Sequence, residues 1–413
     1  MASAARKFQL NPVAPENLLE PVPFYKELRE NDPVHWSDAV QAWFLTRHDD
    51  VMNGLRDPRL SADRTKVLEQ QFRIMGLSAE SIREVIETFK QQMASKDGSA
   101  HLRLRRQASP GFSPQELETW RPAIRRILGM LLDKVRHQRH MDVVPEVFYL
   151  LPPLVIAEIL GVPAEDRERF QKWAEPVGHL TSPGANMNVV ELARQANDGQ
   201  RELNRYLAAL VEERRRSLGD DVISHMLRIQ ERGGMTTEEV VANASLILAA
   251  GHLTTADQLG NGLHELLTHR DQLELLREDP TLLKPAIEEM MRFAPAVPFI
   301  HRIAVESFEL RGETLRKGDE VFLVQAAANH DPAAFPGADR FDITRDPQHQ
   351  KHMSFGFGSH HCMGAGLARR ELEIAIEELL LRMPELRLDE TRLPRIKCHG
   401  LVFRGFESLH VRW

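Results

Sequence analysis

Phe355-Gly356-Phe357-Gly358-Ser359-His360-His361-Cys362-Met363-Gly364 lies near the C-terminal end of the chain. The apolar periodicity just beyond it predicts a helix over Leu367 to Met383. Cys362 is one of only two cysteines. Gly356, Gly358 and Gly364 let the backbone turn tightly and approach a flat partner without Cβ clashes. Free amide N–H groups in such a loop, with a helix N-terminus beyond, favour a thiolate over a thiol. A thiolate in a glycine-lined loop suits an axial ligand to haem iron. The plainer alternative is a buried structural cysteine.

Working outward, the whole 413-residue chain shows no Ser/Gly-rich linker, no fixed-period repeat and no low-complexity tract. One large unit spanning 1–413 is expected. The net charge of −7, from 53 basic and 60 acidic residues, gives no nucleic-acid footprint. The two cysteines, Cys362 and Cys398, build neither a disulfide framework nor a zinc site. A reducing compartment fits that usage. Arg6 and Lys7 are followed by no apolar run, so no signal peptide is expected. The most apolar stretch, Val143 to Val162, is broken by Pro145, Pro152 and Pro153 and charged at Glu146 and Glu158. It falls short of the roughly 18 uninterrupted residues of a membrane span. A soluble protein is expected.

The decisive stretch forms the pattern Phe-Gly-x-Gly-x-His-x-Cys-x-Gly through Phe355, Gly356, Gly358, His360, Cys362 and Gly364. It resembles the haem loop of the cytochrome P450 family, the haem-thiolate monooxygenases. The resemblance runs from Phe24 to Trp413 and implies the soluble bacterial type, cytoplasmic and without a membrane anchor. It implies a mainly α fold with small β-sheets, whose β-rich part falls near 30–60 and 295–325. It also implies haem b, ligated by Cys362, between a long central helix and the cysteine loop.

That central helix is readable directly. Thr236 with Glu239 is a capping-box start, and the helical pattern continues to about His269. Gly251 inside it costs about 1 kcal/mol relative to Ala, a cost that a flat ligand packed on the helix would explain. Ala250, Gly251, Thr254 and Thr255 match the family pattern Ala-Gly-x-(Glu/Asp)-Thr-Thr, but Leu253 stands where the acid belongs. In the family that acid and the following Thr deliver protons, so Thr254 is a candidate catalytic residue. Asp257, three residues on, is a candidate substitute acid acting through water; the plainer alternative is a satisfied polar residue beside Gln258 and Asn261.

Further residues follow from the resemblance. His101 and Arg105, four apart on one helical face, would hold haem propionates with Arg302 and His360. Arg103 and Arg106 are expected on a solvated basic face or a docking surface. Glu289, Arg292 and Arg340 would form a buried triad supporting the cysteine loop. Leu248, Leu253, Val297, Phe299 and Val402 are candidate substrate contacts. The implied reaction is insertion of one oxygen atom into a small organic substrate, by hydroxylation or epoxidation, in secondary-metabolite biosynthesis. Electrons would come from NAD(P)H through a separate ferredoxin and reductase, and a monomer is expected. Leu253 keeps a second reading open: peroxide-driven or non-oxygenating haem-thiolate chemistry.

Overall fold

The computed structural model describes residues 14, 16, 17, 20–181, 188–230, 234–349, 351–397 and 403–413. Helices dominate, and the strands form small sheets. Among the described residues no helix is long and apolar enough to cross a membrane.

The central helix spans Thr237–Thr268. Its capping box forms: the Glu239 amide donates to Thr236 Oγ1 at 3.2 Å, and the Thr236 amide donates to Glu239 Oε2 at 2.9 Å. Arg103 donates to Glu239 at 3.0 Å and ties helix Gly98–Ala108 to this start. Arg103 is therefore half of a fixed ion pair, not part of a solvated basic face. A carboxylate in the first helical turn also complements the helix dipole. Val240, Ala244, Leu248, Leu259, Leu263 and Leu266 are all buried. A helix apolar on all sides belongs in the interior, and each buried leucine contributes about 1.5–3 kcal/mol. The central helix packs against Leu151–Ile159, Val189–Arg216, Leu283–Phe293 and Ala365–Arg382.

The largest sheet has five strands, in spatial order Val34–Ser37, Ala42–Leu45, Glu320–Leu323, Ile300–Ala304 and Leu60–Ser61. Val34 pairs with Leu45 across an antiparallel hairpin, and Ala42 lies beside Glu320 in parallel register. Arg302 pairs with Val321. Alternate residues of a strand share a face. Ile300 and Arg302 therefore point one way while His301 points the other, where its Nε2 meets Glu320 at 2.9 Å.

Helix Leu283–Phe293 carries a buried ion pair. Arg292 Nε and Nη2 donate to Glu289 at 2.7 and 2.8 Å. Arg292 also donates to the carbonyls of Asn329, Ala338 and Arg340 at 2.7, 3.0 and 3.0 Å. The third member of the triad is Arg345, not Arg340. Arg345 Nε lies 3.3 Å from Glu289 Oε2, whereas the Arg340 side chain is 78% exposed and meets only Asp342 at 3.6 Å. The turn at Gly337, with φ of 65°, explains the exchange. The Arg340 amide bonds back to Gly337 O at 3.0 Å, so its side chain leaves outward, and the chain returns to Glu289 five residues later.

Removing one partner of a buried charge network costs roughly 3–5 kcal/mol, whereas an exposed substitution stays within about 0.5 kcal/mol. Arg345→Leu is accordingly expected to lower the denaturant midpoint strongly and Arg340→Leu hardly at all. Equal midpoints for the two variants would contradict the exchange.

Candidate functional site

The cysteine loop is fixed by its own backbone and by side chains beneath it. The Cys362 amide donates to Phe355 O at 2.8 Å, closing the loop. Gly356 and Gly358 have φ of 67° and 75°, the left-handed region that a side chain disfavours. The Gly356 amide also donates to Gln325 Oε1 at 3.0 Å. Asn329 accepts from the Met353 amide at 2.8 Å and donates to Ser354 Oγ at 2.9 Å. The Arg369 guanidinium lies 4.6 Å over the Phe355 ring and is held by Glu288 at 2.9 Å. Glu288 also meets His352 at 3.1 Å, and these two partners hold its carboxyl down near about 2 against the effect of burial.

Cys362 lines a cavity of about 340 Å³ between this loop and the central helix. Its sulfur is open to the cavity and enclosed by protein elsewhere. Burial pushes the thiol up; the amides of Gly364 and Ala365 and the charges of Arg105 and Arg369 oppose that rise. The loop therefore favours the thiolate less than its glycine-rich sequence implies, and binding to a cation would complete the deprotonation.

Ala250, Gly251, Thr254, Thr255 and Gln258 of the central helix face the cavity. Thr254 Oγ1 donates to Ala250 O at 2.6 Å. Gly251 lines the wall, but a Cβ there would meet Ile156 at 2.8 Å. The glycine thus lets helix Leu151–Ile159 pack closely through the Ile156 side chain. Asp257 does not reach the cavity. Three residues turn the helix about 60° short of a full circle, which swings Asp257 to an ion pair with Lys397. The same rotation takes Leu248 into the core and sets Leu253 against Gly178 of helix Arg167–Thr181. Val297 lines the cavity, whereas Phe299 packs among Phe44 and Phe322 at 6.5 and 5.0 Å between ring centroids. Leu248, Leu253 and Phe299 are thus withdrawn as cavity contacts and Asp257 as the acid. Val402 lies outside the described residues.

His101, Arg105 and His360 line the cavity, with Arg302 beside them. The His101 and His360 rings stack with centroids 3.8 Å apart. Burial, reinforced by these neighbouring cations, pushes His360 down to about 4. Burial also drives Arg302 down to about 10, with Arg64 adding to the effect and Asp97 resisting it. Asp97 is the one carboxylate acting on His101, His360 and Arg302 together, and it already accepts from the Ala62 amide at 3.0 Å. His101 Nδ1 is buried without a hydrogen-bond partner. Crowded cations and an unpartnered buried nitrogen call for an anion. The propionates of haem fit that requirement, and Cys362 fits its iron. Among the described residues no group of three His, Cys, Asp or Glu side chains forms a separate metal site.

Several participants gave no signal in the sequence. Arg64 follows a loop and joins the cation cluster only through the fold. Gln325 and Asn329 look like ordinary polar residues in an alanine-rich turn. Glu371 lies on helix Ala365–Arg382, lines the cavity and is raised by burial to about 8, with Oε2 unpartnered. A fully buried, neutral carboxyl is not predictable from the charged run Arg369-Arg370-Glu371.

Residues 77–403 match the family model for cytochrome P450. The polyketide biosynthesis cytochrome P450 PksS of Bacillus subtilis (strain 168) is 34% identical, with 98% of each chain covered. The 6-deoxyerythronolide B hydroxylase of Saccharopolyspora erythraea is 35% identical over 94% of this chain and 95% of its own. Among solved structures, P450BioI in complex with a hexadec-9Z-enoic acid-ligated acyl carrier protein superposes with a TM-score of 0.85. It is 32% identical, covering 96% of this chain and 99% of its own. Together with the sulfur-lined cavity and its ring of cations, these matches show that the chain belongs to the cytochrome P450 family, monooxygenases built on a cysteine-ligated haem.

Proposed function

We propose that this chain inserts one oxygen atom from O2 into a C–H bond or double bond of a small, largely apolar organic molecule in secondary-metabolite biosynthesis. NAD(P)H would supply the electrons through a separate ferredoxin and reductase. The observation that carries the reading is the shared cavity: Cys362 on one wall, Thr254 and Thr255 on the other, and Val297, Ile247 and Ala296 beside them. The relatives' names support the substrate class, since they include a polyketide biosynthesis cytochrome P450 and a 6-deoxyerythronolide B hydroxylase.

When bound, haem supplies the oxygen and redox chemistry. The protein's part is to ligate, orient and move protons. Cys362 would donate sulfur electron density to the metal. His101, Arg105, Arg302 and His360 would bind the propionates by charge-assisted hydrogen bonds, each stronger than a neutral one. Phe355, Gly356 and Gly364 shape the wall around the sulfur. Thr254 would hold a proton at Oγ1 and pass it towards the cavity once its bond to Ala250 O is released. The groups of the central helix that face the cavity include no acid, because Leu253 points at Gly178. Thr254 would therefore be recharged from a source off the central helix: solvent, substrate or another group of the cavity lining such as Glu371. This same feature favours the second reading, chemistry needing fewer delivered protons.

Four outcomes are expected. Cys362→Ala abolishes the long-wavelength absorbance of the reduced, carbon-monoxide-treated protein and its turnover; an unaltered spectrum would refute the sulfur ligand. Arg105→Leu removes a charged hydrogen bond worth about 1.5–3 kcal/mol, so haem is lost about tenfold or more faster in a transfer assay. Turnover under oxygen-18 gas labels the product, and Thr254→Ala lowers product formed per reductant consumed. Unlabelled product would select the second reading, peroxide-driven or non-oxygenating chemistry.

A further inference from the structure

Beyond Thr255 the central helix presents three buried polar residues, Asp257, Gln258 and Asn261, which the reaction does not use. Together they grip two distant stretches of chain. Gln258 accepts from the Ala296 amide at 3.0 Å and donates to Ala294 O at 3.2 Å. Asn261 donates to Ala294 O at 3.3 Å and to Arg404 O at 3.0 Å. Asp257 forms its ion pair with Lys397. The two gripped stretches are also tied to each other. The Arg404 amide donates to Ala296 O at 2.8 Å, and the Lys397 amide donates to Gly405 O at 2.9 Å. Gly405 sits directly on Asp257: a Cβ there would collide with the carboxylate.

The position of this array matters because Ala296, Val297 and Ile300 line the cavity, as does Gln258 itself. One side of the cavity wall thus hangs from polar contacts made one to two turns further along the same helix that carries Thr254. Buried hydrogen bonds of this kind set geometry more than they add net stability, since each contributes only about 0.5–1.5 kcal/mol. Residues that merely filled space here would be apolar, and no partnerless carboxylate oxygen would be left behind. Among the described residues Asp257 Oδ2 is buried without a hydrogen-bond partner, while Oδ1 is held by Lys397.

We propose that Asp257, Gln258 and Asn261 are positioning residues that clamp the 294–297 stretch and the Arg404–Gly405 backbone to the central helix, fixing the cavity wall that selects substrate. This rests on the haem-cavity reading above. A preformed wall lowers the ordering cost of binding a bulky ligand. A ligand that reaches only the iron would be indifferent to it.

The test compares two probes of the ferric holoenzyme by difference spectra: imidazole, which needs only the metal, and 4-phenylimidazole, which also needs the wall. Asp257→Asn keeps the shape and removes the charge. Lys397, 22% exposed, can then turn its ammonium to solvent. Gly405→Ala presses on Asp257 from the other side with no change of charge. Both variants are expected to weaken 4-phenylimidazole by about fivefold or more while imidazole stays within about twofold. If the ratio of the two constants is unchanged in both variants, the clamp is wrong, whatever their melting temperatures. If either variant fails to retain haem, Asn261→Ser carries the same prediction with a smaller perturbation. A wild-type protein giving no imidazole shift would overturn the haem reading instead, so the two failures are distinguishable.

Discussion

The site depends on a single backbone hydrogen bond, from the Cys362 amide to Phe355 O at 2.8 Å. It closes a loop that an ordinary sequence cannot close, because two of its residues need positive φ. Everything around it serves to keep that loop in one geometry. Gln325 and Asn329 bond its entry strand, and the Arg292 guanidinium bonds Asn329 O from below. Glu289, Arg292 and Arg345 thus connect to the sulfur through Asn329 rather than by touching it. A buried ion pair is weak evidence for stability, since desolvation opposes it. Its value here is geometric: Arg292 spends its donors on carbonyls of the chain segments that must converge behind the loop.

Electrostatics divides the cavity into unlike ends. Cations gather around His101 and His360, where the described acids number little more than Asp97. Desolvation drives the two imidazoles towards neutrality and even lowers Arg302. Such crowding is unfavourable for the protein alone and becomes favourable when an anion arrives. The arrangement is therefore a binding site whose cost is met by its ligand. The central-helix wall has the opposite character. Small side chains and two hydroxyls line it, and its ionisable neighbours face away.

Legibility followed the range of the interaction. The capping box at Thr236 and Glu239, the alternation of Glu320–Leu323, and the glycine loop are local, and each was readable from a few adjacent residues. The placing of His101, Arg105 and His360 on one cavity followed from the family resemblance, and the fold brings those three together. Errors arose where a few tens of degrees of rotation decide which face a side chain takes. Asp257 and Thr254 looked co-facial, yet Lys397, 140 residues away, draws the carboxylate to the other side. Arg340 and Arg345 are separated by a turn whose direction only Gly337 reveals. Arg64 and Glu371 owe their surroundings entirely to long-range packing, so no local pattern could mark them.

Leu253 and Asp257 are best understood together. A leucine at 253 packs on Gly178 and joins the central helix to the helix above it by apolar contact. An acid in that place would need a cation or water for company, since a lone buried carboxylate is costly. Asp257 has its cation, but on the face turned towards the C-terminal strands. The chain thus keeps one buried acid on this stretch of helix and uses it to hold backbone in place. On its cavity side the central helix therefore offers Thr254 no acid, and the bond to Ala250 O is what holds the hydroxyl there.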